Sequence, residues 1–158
     1  MPNASKDSNP STSKGKGKAL MESSSSSWEW ILDSGATYHM GSLKRYFSSL
    51  KKSNVPHIFV GNDTQVDVKG KGQIEMENGE LKDVLYVPNL STNLLSIYQI
   101  TLYGGGNKVE FLPDLVMMCN LKYDSLVEVD KVNHDTRLYS FSHFVPKSSS
   151  HALLKYSQ

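Results

Sequence analysis

The stretch from Gln73 to Val87, QIEMENGELKDVLYV, leaves the chain little freedom. Two runs of alternating apolar and polar residues flank Asn78-Gly79. Asn-Gly tolerates the left-handed backbone of a tight hairpin turn, and period-two alternation gives each run one buried and one wet face. An antiparallel hairpin over these residues is the first expectation.

The rest of the chain extends that pattern. WEWIL puts Trp28, Trp30 and Leu32 on one face. VPHIFV and TQVDVKG are short β-rich runs separated by the turn-like Gly61-Asn62-Asp63-Thr64, and KVEFL, LVMM, LVEVDKV and RLYSF follow Gly104-Gly105-Gly106. One segment, LSTNLLSIYQI, has helical spacing, with Ser91 placed to cap it and Leu94, Leu95 and Tyr98 on one side. Many short strands, close turns and a single short helix predict an all-β fold, a small and mainly antiparallel closed β-barrel.

A chain of 158 residues suits one domain rather than two. Residues 1–27 are rich in Ser, Lys and Gly, with Leu20 and Met21 almost alone as large apolar groups. Such a segment buries too little surface to offset its ordering entropy, so a disordered linker is expected there. The barrel is placed over 28–145 and a flexible tail over 146–158. With 17 basic against 16 acidic side chains, nucleic-acid contact is expected only through the arm carrying Lys6, Lys14, Lys16 and Lys18. No apolar stretch has the length of a membrane span, and the N-terminal residues lack the apolar middle of a signal peptide. The one cysteine, Cys119, permits no internal disulfide and no Cys-rich zinc site. A reducing, cytoplasmic setting is the expectation.

The segment WILDSGAT runs an apolar strand straight into a carboxylate, Asp33, with Ser34 and Gly35 behind it. A carboxylate at the end of a buried strand is costly to ionise unless its surroundings use it. Gly35 allows a sharp turn and a close approach, and the Ser34 hydroxyl can hold the loop in shape. This arrangement suits acid–base hydrolysis by two carboxylates that share one proton. The chain offers no second copy of the motif: Asp63-Thr64 precedes Gln65, and Asp124-Ser125 precedes Leu126. If Asp33 is catalytic, its partner is Asp33 of a second chain across a two-fold axis.

Other constellations are poorer. Ser34 lacks the Gly-x-Ser-x-Gly elbow and has no histidine fixed beside it. His39, His57, His134, His143 and His151 match no metal-ligand spacing, and KGKGK lacks the spacing of a phosphate loop. A β-barrel with a basic arm could instead stack single-stranded nucleic acid on Tyr38, Tyr46, Phe47 and Phe59. An inert spacer, with Asp33 merely capping a turn, is the third alternative.

WILDSGATYHM resembles the start of the aspartic protease in copia-type (Ty1/copia) retrotransposon Gag-Pol polyproteins. LKDVLYVPNLSTNLLSI is similar to that family's second landmark, and VEFLPD and RLYSF match its later pattern. These landmarks stand in the family's order over roughly residues 28 to 144. The resemblance implies a retropepsin-like barrel in which Asp33 is the catalytic carboxylate and Ser34, Gly35 and Ala36 form the active-site loop. It places a hairpin flap around Gly61-Asn62-Asp63-Thr64, with Gly70 and Gly72 as hinges, and the closing helix turn at Asn93-Leu94-Leu95. It further implies a homodimer cutting its own polyprotein, in the cytoplasm or in virus-like particles, with no metal or organic cofactor. Tyr38 replaces a small residue of the family's pattern, and Pro88-Asn89-Leu90 stand where retroviral proteases place a glycine. A domesticated or inactive remnant serving as a structural or nucleic-acid-binding module is the alternative.

Overall fold

The computed structural model describes residues 29–77, 79–142 and 145–147. The expected linker over 1–27, Trp28, Asn78 and most of the expected tail lie outside these residues.

The hairpin that dominates the sequence is present. Strand β6 (Gly70–Met76) pairs antiparallel with β7 (Gly79–Tyr86), ending at Met76 opposite Gly79. Ile74 and Met76 of β6 are buried while Glu75 is exposed, as alternation demands. On β7 the alternation is broken: Gly72 faces Val84 but Ile74 faces Leu81, so Lys82 and Asp83 bulge outward. Asp83 adopts a left-handed backbone with φ 54° there. That bulge lets Leu81 and Val84, three residues apart, both enter the core.

Five more strands complete the main sheet: β1 (Trp30–Asp33), β2 (Met40–Gly41), β3 (Ser49–Lys51), β8 (Asn93–Ser96) and β12 (Ser140–Phe141). Its order is β12-β1-β8-β2-β7-β6-β3. Separate from it stand a hairpin of β4 (His57–Val60) with β5 (Thr64–Asp67), and a three-stranded sheet of β9 (Asn107–Phe111), β10 (Leu115–Asn120) and β11 (Ser125–Lys131). The class is all-β, as expected, but the sheets do not close into a barrel. The extra strands pair among themselves rather than bridging the edges β12 and β3. Edge strand β3 is three residues long and runs into exposed Lys51 and Lys52, a charged rim that disfavours further pairing.

The three-stranded sheet packs across the main one. Val116 and Met118 of β10 share a core with Trp30, Tyr46, Ile74, Val84, Leu95 and Phe141. Burying a side chain of this size is worth roughly 1.5–3 kcal/mol. A second cluster gathers Met40, Leu85 and Val87 under Ile58 and Val66 of the β4–β5 hairpin.

Helix α1 spans Ile97–Leu102 and starts later than its sequence spacing suggests. Asn93-Leu94-Leu95-Ser96 is captured instead as a parallel strand beside β1, with Leu95 in the main core and Leu94 against the second cluster. The cap is therefore Ser96, whose Oγ accepts the Gln99 N–H at 3.2 Å, rather than Ser91. Tyr98 is left facing outward. At the other end Asn107 donates to the carbonyls of Ile100 and Tyr103 at 2.7 and 2.9 Å. Buried Asn120 donates to Asn107 Oδ1 at 3.0 Å, tying the helix end to β10. Pro146, placed by its composition in the tail, is buried and bridges Met76.

Candidate active site

Asp33 is the last residue of β1. Strand β1 runs parallel to β8, and Asp33 lies opposite Ser96, so both strands deliver their C-terminal ends to one edge of the structure. The Gly35 N–H donates to Asp33 Oδ1 at 2.7 Å and the Ala36 N–H to the Asp33 carbonyl at 3.4 Å, closing a tight turn around the half-buried carboxylate. Gly35 serves here through close approach: a Cβ would stand 3.2 Å from Asp33 Oδ1, and its φ is not in the left-handed region. Ala36 is buried beneath the loop, while Ser34 and Gly35 are exposed. Ser34 Oγ has no hydrogen bond among the described residues; the Gly35 amide holds the loop. The four residues of the motif thus form one continuous turn with an accessible carboxylate at its base.

The sequence gives little sign of the residue behind this loop. His39 is 4% exposed, and its Nδ1 accepts the Ser96 N–H at 3.0 Å. Its carbonyl also accepts the Leu85 N–H at 2.9 Å. One histidine thereby joins the segment that follows the Asp33 loop to the strand opposite Asp33 and to β7. Burial pushes the imidazole pKa down to about 4, against the opposing pull of the Asp83 carboxylate. A polar residue within a short apolar run, TYHMG, was the available signal. Its partner is 57 positions away.

The other sequence candidates are scattered. His57 stacks edge-on with exposed Phe59 in the β4–β5 hairpin, and His134 meets Asp114 at 3.2 Å on an exposed turn. His143 and His151 lie outside the described residues. Among the described residues no three His, Cys, Asp or Glu side chains gather to hold a metal. Cys119 is half-buried in β10. Of the four candidate stacking aromatics, Tyr46 is a core residue, Phe47 packs edge-on against Tyr86, and Tyr38 lies under the Lys71 ammonium at 5.3 Å. The hairpin predicted around Gly61 to Thr64 exists, with Asn62 and Asp63 in left-handed conformations. Gly70 and Gly72 lie inside paired β6, so they are no hinges. A Cβ on Gly72 would come 1.8 Å from the Ser49 carbonyl oxygen.

A cleft of about 620 Å³ opens on the far side of His39. It lies between residues Gly79 to Asp83 of β7, helix α1 and the β10–β11 sheet, and it does not include the Asp33 loop.

Residues 30–105 match a family profile described as the Pol polyprotein β-barrel domain. A transposon Ty5-1 protein of Saccharomyces cerevisiae is 36% identical over 69 residues, covering 44% of this chain and 47% of that protein. The retrovirus-related Pol polyprotein from transposon RE1 of Arabidopsis thaliana is 31% identical over 93 residues, covering 56% of this chain and 6% of that polyprotein. The chain thus spans under half the length of either relative. No solved structure matches it significantly. These similarities support a domain derived from the Pol polyprotein of a retrotransposon.

Proposed function

We propose that this domain is an aspartic endopeptidase that acts as a homodimer and processes the polyprotein in which it is made. The observation that carries the reading is the Asp33 turn: an accessible carboxylate at a strand end, held from behind by the Gly35 amide. Each chain contributes one such group, so the working site needs two chains.

Two carboxylates within hydrogen-bonding distance cannot both ionise freely, and aspartic proteases are the standing example of that coupling. The ionised Asp33 takes a proton from water as the oxygen attacks the scissile carbonyl. The protonated Asp33 of the partner chain hydrogen-bonds the developing oxyanion. Collapse of the tetrahedral intermediate then breaks the C–N bond, and the departing amine receives a proton from the pair. No covalent enzyme intermediate forms. An extended substrate strand fits a site bordered by β-strands, with alternate side chains setting specificity. The β4–β5 hairpin, bearing exposed Phe59, is the element suited to cover it.

The test is Asp33→Asn, which keeps the shape of the side chain and removes the carboxylate. Cleavage of a fusion carrying flanking polyprotein sequence, assayed at mildly acidic pH, should fall to background. Undiminished cleavage would remove Asp33 from the mechanism, and full activity in a strict monomer by sedimentation would remove the shared site.

A further inference from the structure

The cleft beyond His39 has the features of a second ligand site. We infer that it binds an extended peptide, added as a strand along the open edge of β7. This does not depend on Asp33 being catalytic.

Three observations converge. The first is an unused donor. His39 is 4% exposed and lines the cleft, and its Nδ1 is occupied by the Ser96 N–H. In a neutral imidazole the proton then sits on Nε2. Nε2 has no acceptor among the described residues. It is not sealed in either, since Trp30 Nε1 is the one fully buried side-chain nitrogen or oxygen there without a partner. The Nε2–H is therefore a single-tautomer donor without an acceptor among the described residues, on a buried residue that lines the cleft.

The second is an open strand edge. Strand β2 covers β7 only at Leu85 and Tyr86, so Gly79 to Leu81 pair with β6 on one side only and, with the bulged Lys82 and Asp83, line the cleft. The third is the rim. Tyr98 and Tyr123 are 64% and 67% exposed, with Leu102 and Tyr103 beside them on the helix side. A peptide backbone supplies the carbonyl that His39 needs and pairs with β7, while its alternate side chains reach the aromatic rim.

Charge narrows the ligand further. The cleft lining carries Glu80 and Asp83, each paired with a lysine, Lys82 at 3.3 Å and Lys71 at 3.8 Å, which leaves a nearly neutral wall around a neutral imidazole. Neither lysine is left free to hold a phosphate or carboxylate. A neutral peptide with large apolar side chains at every second position is the occupant that fits.

The experiment uses the full chain carrying Asp33→Asn, so that no peptide is cut, and a fluorescein-labelled, amidated Thr-Leu-Thr-Tyr-Thr-Leu-Thr peptide. Saturable binding tighter than about 1 mM is expected, with amide NMR shifts concentrated at Gly79 to Asp83 and Tyr98 to Tyr103. Adding Tyr98→Ala and Tyr123→Ala, both at exposed positions, should weaken it by about tenfold. N-methylation of alternate peptide amides should abolish it. Absence of saturation, indifference to the tyrosine variants, or shifts centred on Ser34 to Ala36 would overturn the proposal. Tighter binding of an oligothymidine to the same residues would also overturn it.

Discussion

The Ser96 backbone N–H donates to His39 Nδ1 at 3.0 Å, and Ser96 lies directly opposite Asp33 on the neighbouring strand. The bond requires an unprotonated Nδ1, so it ties the geometry behind the Asp33 loop to the charge state of a buried ring.

Stability should accordingly fall on acidification. The His39 pKa is lowered from 6.5 to about 4 in the folded chain, so between those values the unfolded chain binds the proton that the folded chain refuses. The stabilisation is fully present above about pH 6.5 and is lost as pH falls toward 4. The difference corresponds to about 3 kcal/mol at most. Urea unfolding at pH 7, 5.5 and 4.5 measures it, and His39→Asn should flatten that part of the profile while lowering stability at pH 7. An unchanged profile in the variant would assign the acid sensitivity to other groups.

Heterodimers offer a sharper test of the shared carboxylate than either single variant. Mixing wild-type chains with an equal amount of Asp33→Asn chains, followed by exchange, should cut activity per wild-type chain to about half by random pairing. Activity that stays proportional to wild-type chains alone would mean that each chain carries a whole site.

Gly72→Ala should be costly. The added Cβ would meet the Ser49 carbonyl oxygen at 1.8 Å, and backbone cannot yield as a flexible side chain can. Edge strand β3 must shift, with an expected loss of about 1–3 kcal/mol. Gly61→Ala is the control: nothing lies within 4 Å of its Cβ position, and stability should change by less than about 0.5 kcal/mol. Thermal or urea unfolding of the pair separates close approach from a general intolerance of glycine replacement.

Local pattern carried the strands well and long-range pairing poorly. The β6–β7 hairpin was legible because turn chemistry and alternation lie in one stretch. The Asp33 loop was legible because its turn is built from adjacent residues. The start of α1 was not: Asn93 to Ser96 has helical spacing, and only the distant β1 makes it a strand. The bulge at Lys82-Asp83 and the role of His39 were hidden for the same reason. Closure was overestimated because alternation shows that strands have a wet and a dry face, not which edges meet.

Asn107 provides a test of how the three-stranded sheet is anchored. Its Nδ2 serves the Ile100 and Tyr103 carbonyls at the end of α1, and its Oδ1 accepts from Asn120. Asn107→Asp keeps the size and the acceptor but loses the donor, placing a carboxylate oxygen against two carbonyls. A loss of about 1–3 kcal/mol is expected at neutral pH, partly recovered on acidification as the carboxyl regains a proton to donate. Asn107→Leu removes both functions and should lose stability without any such recovery. Recovery in both variants, or in neither, would mean that packing rather than hydrogen bonding joins this helix to β10.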